Sequence, residues 1–173
     1  MPLRIYDSFA LLKLFQKEQG YLKVARLLEE DRKSESLPLI QIINFGEIIY
    51  ITKKDFGEHA KLRVIRNVIQ MGFRIISAGD DLVYEAAELK GSYAISYADA
   101  FLLATALREN AVIVTGDPEF ENVESLCQID WVSKAKLMAV VGTCFQSDHK
   151  ACPEFNRTAQ PRSKLHSSCG STS

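Results

Sequence analysis

The sequence predicts an α/β domain: a central, mostly parallel sheet with helices on both faces. Three observations carry this. Short β-branched runs alternate with longer segments of helical period. The run Ala111–Val114 is apolar throughout, as a strand covered on both faces is. Between them, Ser96–Phe120 (SYADAFLLATALRENAVIVTGDPEF) reads as a helix, a tight return, a buried strand and an acidic turn. That succession is how parallel sheets are built.

The elements follow in order. Leu3–Tyr6 is a short first strand. Ser8–Gln19 carries Phe9, Leu11, Leu12, Leu14 and Phe15 at helical spacing and is closed by Gly20. Tyr21–Lys33 is a second amphipathic helix through Leu22, Val24, Ala25, Leu27 and Leu28. Leu37–Ile40, with Pro38 near its start, is a brief strand. Ile42–Lys53 and Phe56–Met71 are helices, the second ending at Gly72. Phe73–Ile76 is a strand, and Asp81–Lys90 a helix capped by Gly91. After the 96–120 unit, Gln128–Val132 supplies the last strand. In the unit's helix, Phe101, Leu102, Ala104, Thr105, Ala106 and Leu107 cover most of the surface, so it is expected to be buried.

At 173 residues, 47% hydrophobic and 25% charged, the chain is an ordinary globular one, large enough for a real core. No apolar run approaches the ~20 residues of a membrane span. The start, MPLRIYDSF, lacks a secretory layout, so a cytoplasmic location is expected. Charge is uneven. Residues 1–131 carry 15 Lys and Arg against 20 Asp and Glu, a net of −5; residues 132–173 carry 6 against 2, a net of +4. The domain therefore has no basic footprint of the kind that marks charge-driven nucleic-acid binding. Beyond Trp131 the composition turns to Ser, Cys, Pro, Thr and Gln without period, and only Leu137–Val141 is apolar enough for a short element. We assign 1–131 to the domain and 132–173 to a tail, disordered or foreign to the fold.

Four acids stand out. Asp7 and Asp117 follow strands directly, which places them at the carboxyl edge of the sheet, where open α/β folds bind ligands. Glu47 has Ile43, Tyr50 and Ile51 as helical neighbours, and Asp99 shares its face with Leu102, Leu103 and Ala106. Carboxylates on apolar stripes are costly unless paired or metal-bound. Four converging carboxylates would repel one another, and a divalent cation relieves that; all-oxygen ligation points to Mg²⁺ or Mn²⁺. Each acid but one also has a purely structural explanation. Asp7 could N-cap the helix from Ser8, Ser96 and Asp99 match a capping box, and Asp117-Pro118 could open a short turn. Glu47 has only a partner such as Lys53 or Arg108 to explain it.

The stretches YDSFALL, NFGEIIY, SYADAFLLATAL and VIVTGDPEF together resemble the PIN-domain ribonucleases, most closely the toxins of VapBC-type toxin–antitoxin pairs. The resemblance spans about residues 3–131 and implies a three-layer PIN-like fold. It puts the family's acids on Asp7, Glu47, Asp99 and Asp117 and its accompanying polar positions on Ser8, Asn44 and Thr115. It implies Mg²⁺-dependent (or Mn²⁺-dependent) hydrolysis of RNA phosphodiester bonds, with the four acids as ligands and Ser8, Asn44 and Thr115 orienting them. A cognate antitoxin, basic or amphipathic, and a homodimer are implied likewise, and no membrane. Glu119 and Glu121 are read as surface charge, and Arg4, Lys13, Lys53, Lys54 and Arg108 as candidates for contact with RNA.

Two other readings remain. A catalytically silent PIN-like binding module would use the acids only as caps. An aspartyl-phosphate phosphohydrolase would want a second Asp two residues beyond Asp7, where this chain has Phe9. Cys127 is expected to be a small buried residue. Cys144, His149, Cys152, His166 and Cys169 loosely evoke a zinc site but lack a paired C-x2-C knuckle.

Overall fold

Five short strands form one sheet in the order β3-β2-β1-β4-β5, all neighbours parallel, in a computed structural model that describes residues 2–132. The readings placed on the tail beyond Val132, with its cysteines and histidines, lie outside the described residues. In chain order the elements are β1 (Arg4–Tyr6), α1 (Ser8–Gln16), α2 (Tyr21–Lys33), β2 (Leu39–Gln41) and α3 (Ile42–Gln70). Then come β3 (Arg74–Ile76), α4 (Asp80–Ser92), α5 (Tyr97–Glu109), β4 (Val112–Thr115), a 3-10 turn (Pro118–Val123) and β5 (Ile129–Trp131).

The period of two along each strand sorts its side chains between two cores. Ile5, Leu39 and Ile113 point to one face and pack with Leu82 and Ala86 of α4 and Ala100, Leu102, Leu103 and Ala106 of α5. Tyr6, Ile40 and Val114 point to the other and pack with Ala10 and Leu11 of α1, Val24 and Leu27 of α2, and Phe45, Ile48, Val64 and Val68 of α3. Each fully buried Leu, Ile or Val contributes about 1.5–3 kcal/mol. This is the three-layer arrangement, and the sheet is wholly rather than mostly parallel. The central strands β1 and β4 are buried throughout, whereas β3 and β5 at the edges are not.

The chain builds outward from β1 through β2 to β3, then returns to β1's other side with β4. The topological switch point is thus between β1 and β4. In open α/β sheets such a point, outside the carboxyl ends of the strands, is where ligands bind.

Several boundaries differ from expectation. Gly20 does not close α1; Lys17 ends it in the left-handed region (φ 55), and Gly20 (φ 99) opens α2. Gly91 lies inside α4, which runs on to Ser92. The two helices expected over 42–71 are present within α3, but they divide at Gly57 (φ 82, ψ −176) and not at 54–55. That conformation is nearly exclusive to glycine. A Cβ on Gly57 would meet nothing within 4 Å, so any penalty there is backbone strain alone. Gly57→Ala is expected to lower stability by about 1–3 kcal/mol in urea denaturation; an unchanged midpoint would show that the break does not depend on glycine.

Candidate active site

Asp7 sits at the switch point because β1 ends one residue earlier. Its N–H continues the sheet by donating to Val114 O (3.1 Å), and its side chain is 1% exposed. It occupies the N-cap position of α1 yet makes no side-chain cap, which removes the structural explanation offered for it. Its two oxygens are instead held from three elements. Thr115 Oγ1, at the end of β4, donates to Asp7 Oδ2 (2.7 Å), and Asn44 Nδ2, in the first turn of α3, donates to Oδ1 (3.3 Å). Ser8 Oγ lies 3.1 Å from Asp7 Oδ1 and 2.9 Å from Glu47 Oε2, so its one proton is shared between two carboxylates. Ser8, Asn44 and Thr115 are therefore all in contact with Asp7.

Glu47 reaches this cluster through Ser8 and not through Lys53 or Arg108, which pair with Glu58 and Glu85. Its stripe is also wetter than its sequence suggests. Ile43 and Tyr50 are exposed, so Glu47 is half-buried and its charge keeps water on one side.

Asp99 arrives from α5. The capping box forms as read from the sequence: Ser96 Oγ accepts from Asp99 N (3.1 Å), and Ser96 N donates to Asp99 Oδ2 (3.3 Å). Asp99 is at the same time 6% exposed and close enough to Asp7 to feel its charge. Asp117 caps the 3-10 turn through Oδ1 to Glu119 N (2.9 Å), with Pro118 in the first position. Its own N–H donates to Thr115 Oγ1 (3.0 Å), which ties the turn back to Asp7. Asp99 thus caps through Oδ2 and Asp117 through Oδ1.

Two residues escaped the sequence reading. Glu119, read as surface charge, turns its carboxylate onto the N-terminus of α5, where Oε2 accepts from Ser96 N (2.6 Å). Gln41, the last residue of β2, is fully buried and caps α3 by accepting from Ile43 N. Gln41 Nε2 and Asn44 Oδ1 have no hydrogen-bond partner among the described residues. The proposed cations fared differently. Arg4 is buried among Glu30, Asp31 and Asp130, and Lys13 pairs with Glu18 and lies over the Phe9 ring, so neither is free for a nucleic acid. Cys127 is half-buried, and that burial pushes its thiol up to about 11.

The electrostatics follow from burial with like charges nearby. Asp7 is pushed up to about 6, chiefly by desolvation, with Asp117 and Glu47 adding and the Thr115 and Ser8 hydroxyls opposing. Asp99 is pushed up to about 7 by desolvation first, then by the charge of Asp7, with Asp117 and Glu119 adding and Ser96 opposing. Among the described residues no Lys or Arg is paired with Asp7, Glu47, Asp99 or Asp117.

A hard divalent cation fits the donor chemistry. The donors are carboxylate oxygens with a surplus of negative charge, beside a buried amide oxygen with no partner. As the side chains are turned, however, no three of them among the described residues are placed to hold one ion. Asp7 and Glu47 share the Ser8 hydroxyl, and the neighbouring acids raise one another's cost of ionisation at Asp7 and Asp99.

Residues 5–126 match the PIN domain family model. No curated protein matches the sequence. Among solved structures, a toxin–antitoxin complex from Klebsiella pneumoniae aligns with a TM-score of 0.58 at 19% identity, over 76% of this chain and 98% of that one. A DNA-bound VapBC complex from Salmonella typhimurium aligns with a TM-score of 0.61 at 16% identity, over 77% and 100%. VapC20 of Mycobacterium tuberculosis, described as a toxin cleaving the sarcin–ricin loop, aligns with a TM-score of 0.58 at 15% identity, over 69% and 94%. At these identities the likeness is one of fold.

Proposed function

Because the chain belongs to the PIN domain family, we propose that it is a Mg²⁺- or Mn²⁺-dependent endoribonuclease and the toxin of a toxin–antitoxin pair. One observation carries the reading. Carboxylates from four separate segments gather at the β1/β4 switch point without any basic partner among the described residues, and two of them, Asp7 and Asp99, are pushed up by burial first and then by the charges of neighbouring acids. Caps alone need neither the burial of Asp7 nor three donors around it.

Asp7, Glu47, Asp99 and Asp117 would hold the cation. Bound there, it supplies a water of lowered pKa and neutralises charge on the phosphate during in-line displacement. The chain's own residues prepare for this. Thr115 and Asn44 fix the plane of the Asp7 carboxylate, one at each oxygen, and Ser8 links Asp7 to Glu47. Glu47 is half-exposed, which leaves the α3 side of the cluster within reach of water and substrate. Residues 1–131 form the nuclease domain in this reading. The VapBC-type complexes among the similar folds support a cognate antitoxin as partner, and a homodimer is proposed with it. No helix among the described residues is long and apolar enough to cross a membrane; a cytoplasmic site of action belongs to the proposed reading.

A second reading has a specific observation in its favour. Asp99 and Asp117 both serve as caps, and among the described residues no three acids converge as placed, which suits a catalytically silent PIN-like module binding RNA or protein. The full chain incubated with total RNA separates the two. Cleavage with Mg²⁺ or Mn²⁺ that stops with EDTA, and is lost in Asp99→Asn, is the expected result. Absence of cleavage, with a melting temperature indifferent to either metal, would establish the silent module.

A further inference from the structure

The N-terminus of α5 is served by two carboxylates at one backbone proton. Ser96 N–H lies 3.3 Å from Asp99 Oδ2 but 2.6 Å from Glu119 Oε2. An N–H has one proton to give, and a charge-assisted bond at the shorter distance takes most of it. The reciprocal half of the capping box, which Asp99 alone would supply in an isolated helix, is therefore carried mainly by Glu119.

Glu119 is itself held in place. Its N–H is fixed by Asp117 Oδ1 (2.9 Å), and its carbonyl accepts from Asn122 Nδ2 (3.0 Å), which also donates to Ala94 O (3.0 Å) just before α5. The connection runs on through Asp117 N to Thr115 Oγ1 and from Thr115 to Asp7. One chain of hydrogen bonds thus joins the start of α5 to Asp7, and Glu119 is the link that closes it.

We propose that Glu119 is a positioning residue: by taking the Ser96 N–H it releases the Asp99 carboxylate from its cap, so that Asp99 can turn toward Asp7 and complete the metal site. This rests on the reading of Asp7, Glu47, Asp99 and Asp117 as ligands. Without Glu119, Asp99 is the one side-chain acceptor among the described residues left for Ser96 N–H, and its carboxylate is held at the helix end. The chain would keep its fold and its acids but lose the geometry of one ligand.

The test is Mn²⁺ affinity of the full chain, read by electron paramagnetic resonance without RNA, for wild type, Glu119→Ala and Glu119→Gln. Glutamine keeps an oxygen for Ser96 N–H but removes the charge; alanine removes both. We expect Glu119→Ala to bind Mn²⁺ about tenfold more weakly or worse, as losing a group that orients a ligand does. Glu119→Gln should stay within about threefold of wild type on the same reasoning. Circular dichroism and melting temperature show whether each variant is folded at the measurement temperature. Equal weakening in both variants would make Glu119 a source of charge or a ligand and overturn the proposal. Wild-type affinity in both, with or without a lower melting temperature in Glu119→Ala, would overturn it as well, leaving a structural cap. A wild-type chain that binds no Mn²⁺ would sink the metal-site reading itself, and this inference with it.

Discussion

On the proposed nuclease reading, Asp7→Asn is expected to remove RNA cleavage and, in the same molecule, to make the metal-free fold more stable at pH 8. Cleavage should fall about a thousandfold or more, the scale seen when one member of a catalytic unit is deleted. The stability gain has a separate origin. Asp7 is 1% exposed, and burial holds its carboxyl at about 6 against an ordinary 3.8. Between those values the folded chain keeps a proton that the unfolded chain has released. Stability from this group is therefore greatest below about pH 4 and declines as pH rises through about 6; Asp99, at about 7, extends the decline. The full displacement of Asp7 corresponds to roughly 3 kcal/mol. Asparagine has nearly the same shape and does not titrate. The melting temperature of the wild-type chain in EDTA should thus drop more steeply between pH 4 and 8 than that of Asp7→Asn. Mg²⁺ added at pH 8 should raise the wild type and leave the variant unmoved. Parallel pH profiles for the two proteins would show that Asp7 carries no buried charge.

The parts legible in the sequence are those set by local period. The apolar run Ala111–Val114 read as a strand covered on both faces, where β4 (Val112–Thr115) lies, and the alternation of such runs with helices predicted the sheet and its layers. Asp7 was legible for the same reason, since it stands where a strand ends, whereas Thr115 was named only through the family resemblance. Helix ends were less so, because glycine marks a left-handed residue without saying which helix it serves. Gly20 opens α2, and Lys17 took the left-handed position expected of a glycine. Glu119 was illegible because its partner, Ser96, is 23 residues away across a turn whose path no periodicity describes. Glu47 was misjudged in the opposite sense. Its apolar neighbours promised a buried stripe, but Ile43 and Tyr50 face outward, and the hydroxyl that holds it belongs to another helix.

Arg4 is the sharpest case of a residue whose role lies in distant partners, and its replacement carries the largest expected loss of stability. A basic residue in the first strand reads as a surface charge, yet Arg4 is 6% exposed. Its Nη1 donates to Asp31 (2.5 Å), Nη2 to Glu30 (3.2 Å) and Nε to Asp130 (3.3 Å). Asp31 is fully buried and also accepts from the Tyr6 hydroxyl (2.6 Å). Burial, with Asp31 beside it, holds that phenol far above its usual range, so Tyr6 stays a neutral donor. Glu30 and Asp130 are only part-buried and can turn to water; Asp31 cannot. Arg4→Met would fill the space but leave a buried carboxylate facing a single phenol, at a cost of about 3–5 kcal/mol. Arg4→Met with Asp31→Leu removes both charges and should recover much of that loss, because the penalty belongs to the charge left behind and not to the pair. Urea denaturation of the two single variants and the double one measures the coupling directly. Arg4 also opens β1, at the far end of the strand from Asp7, so variants that remain folded should cleave RNA at the wild-type rate. A loss below about 1 kcal/mol in Arg4→Met would mean that Asp31 takes up a proton or reaches water, and that the network is not the closed one its distances describe.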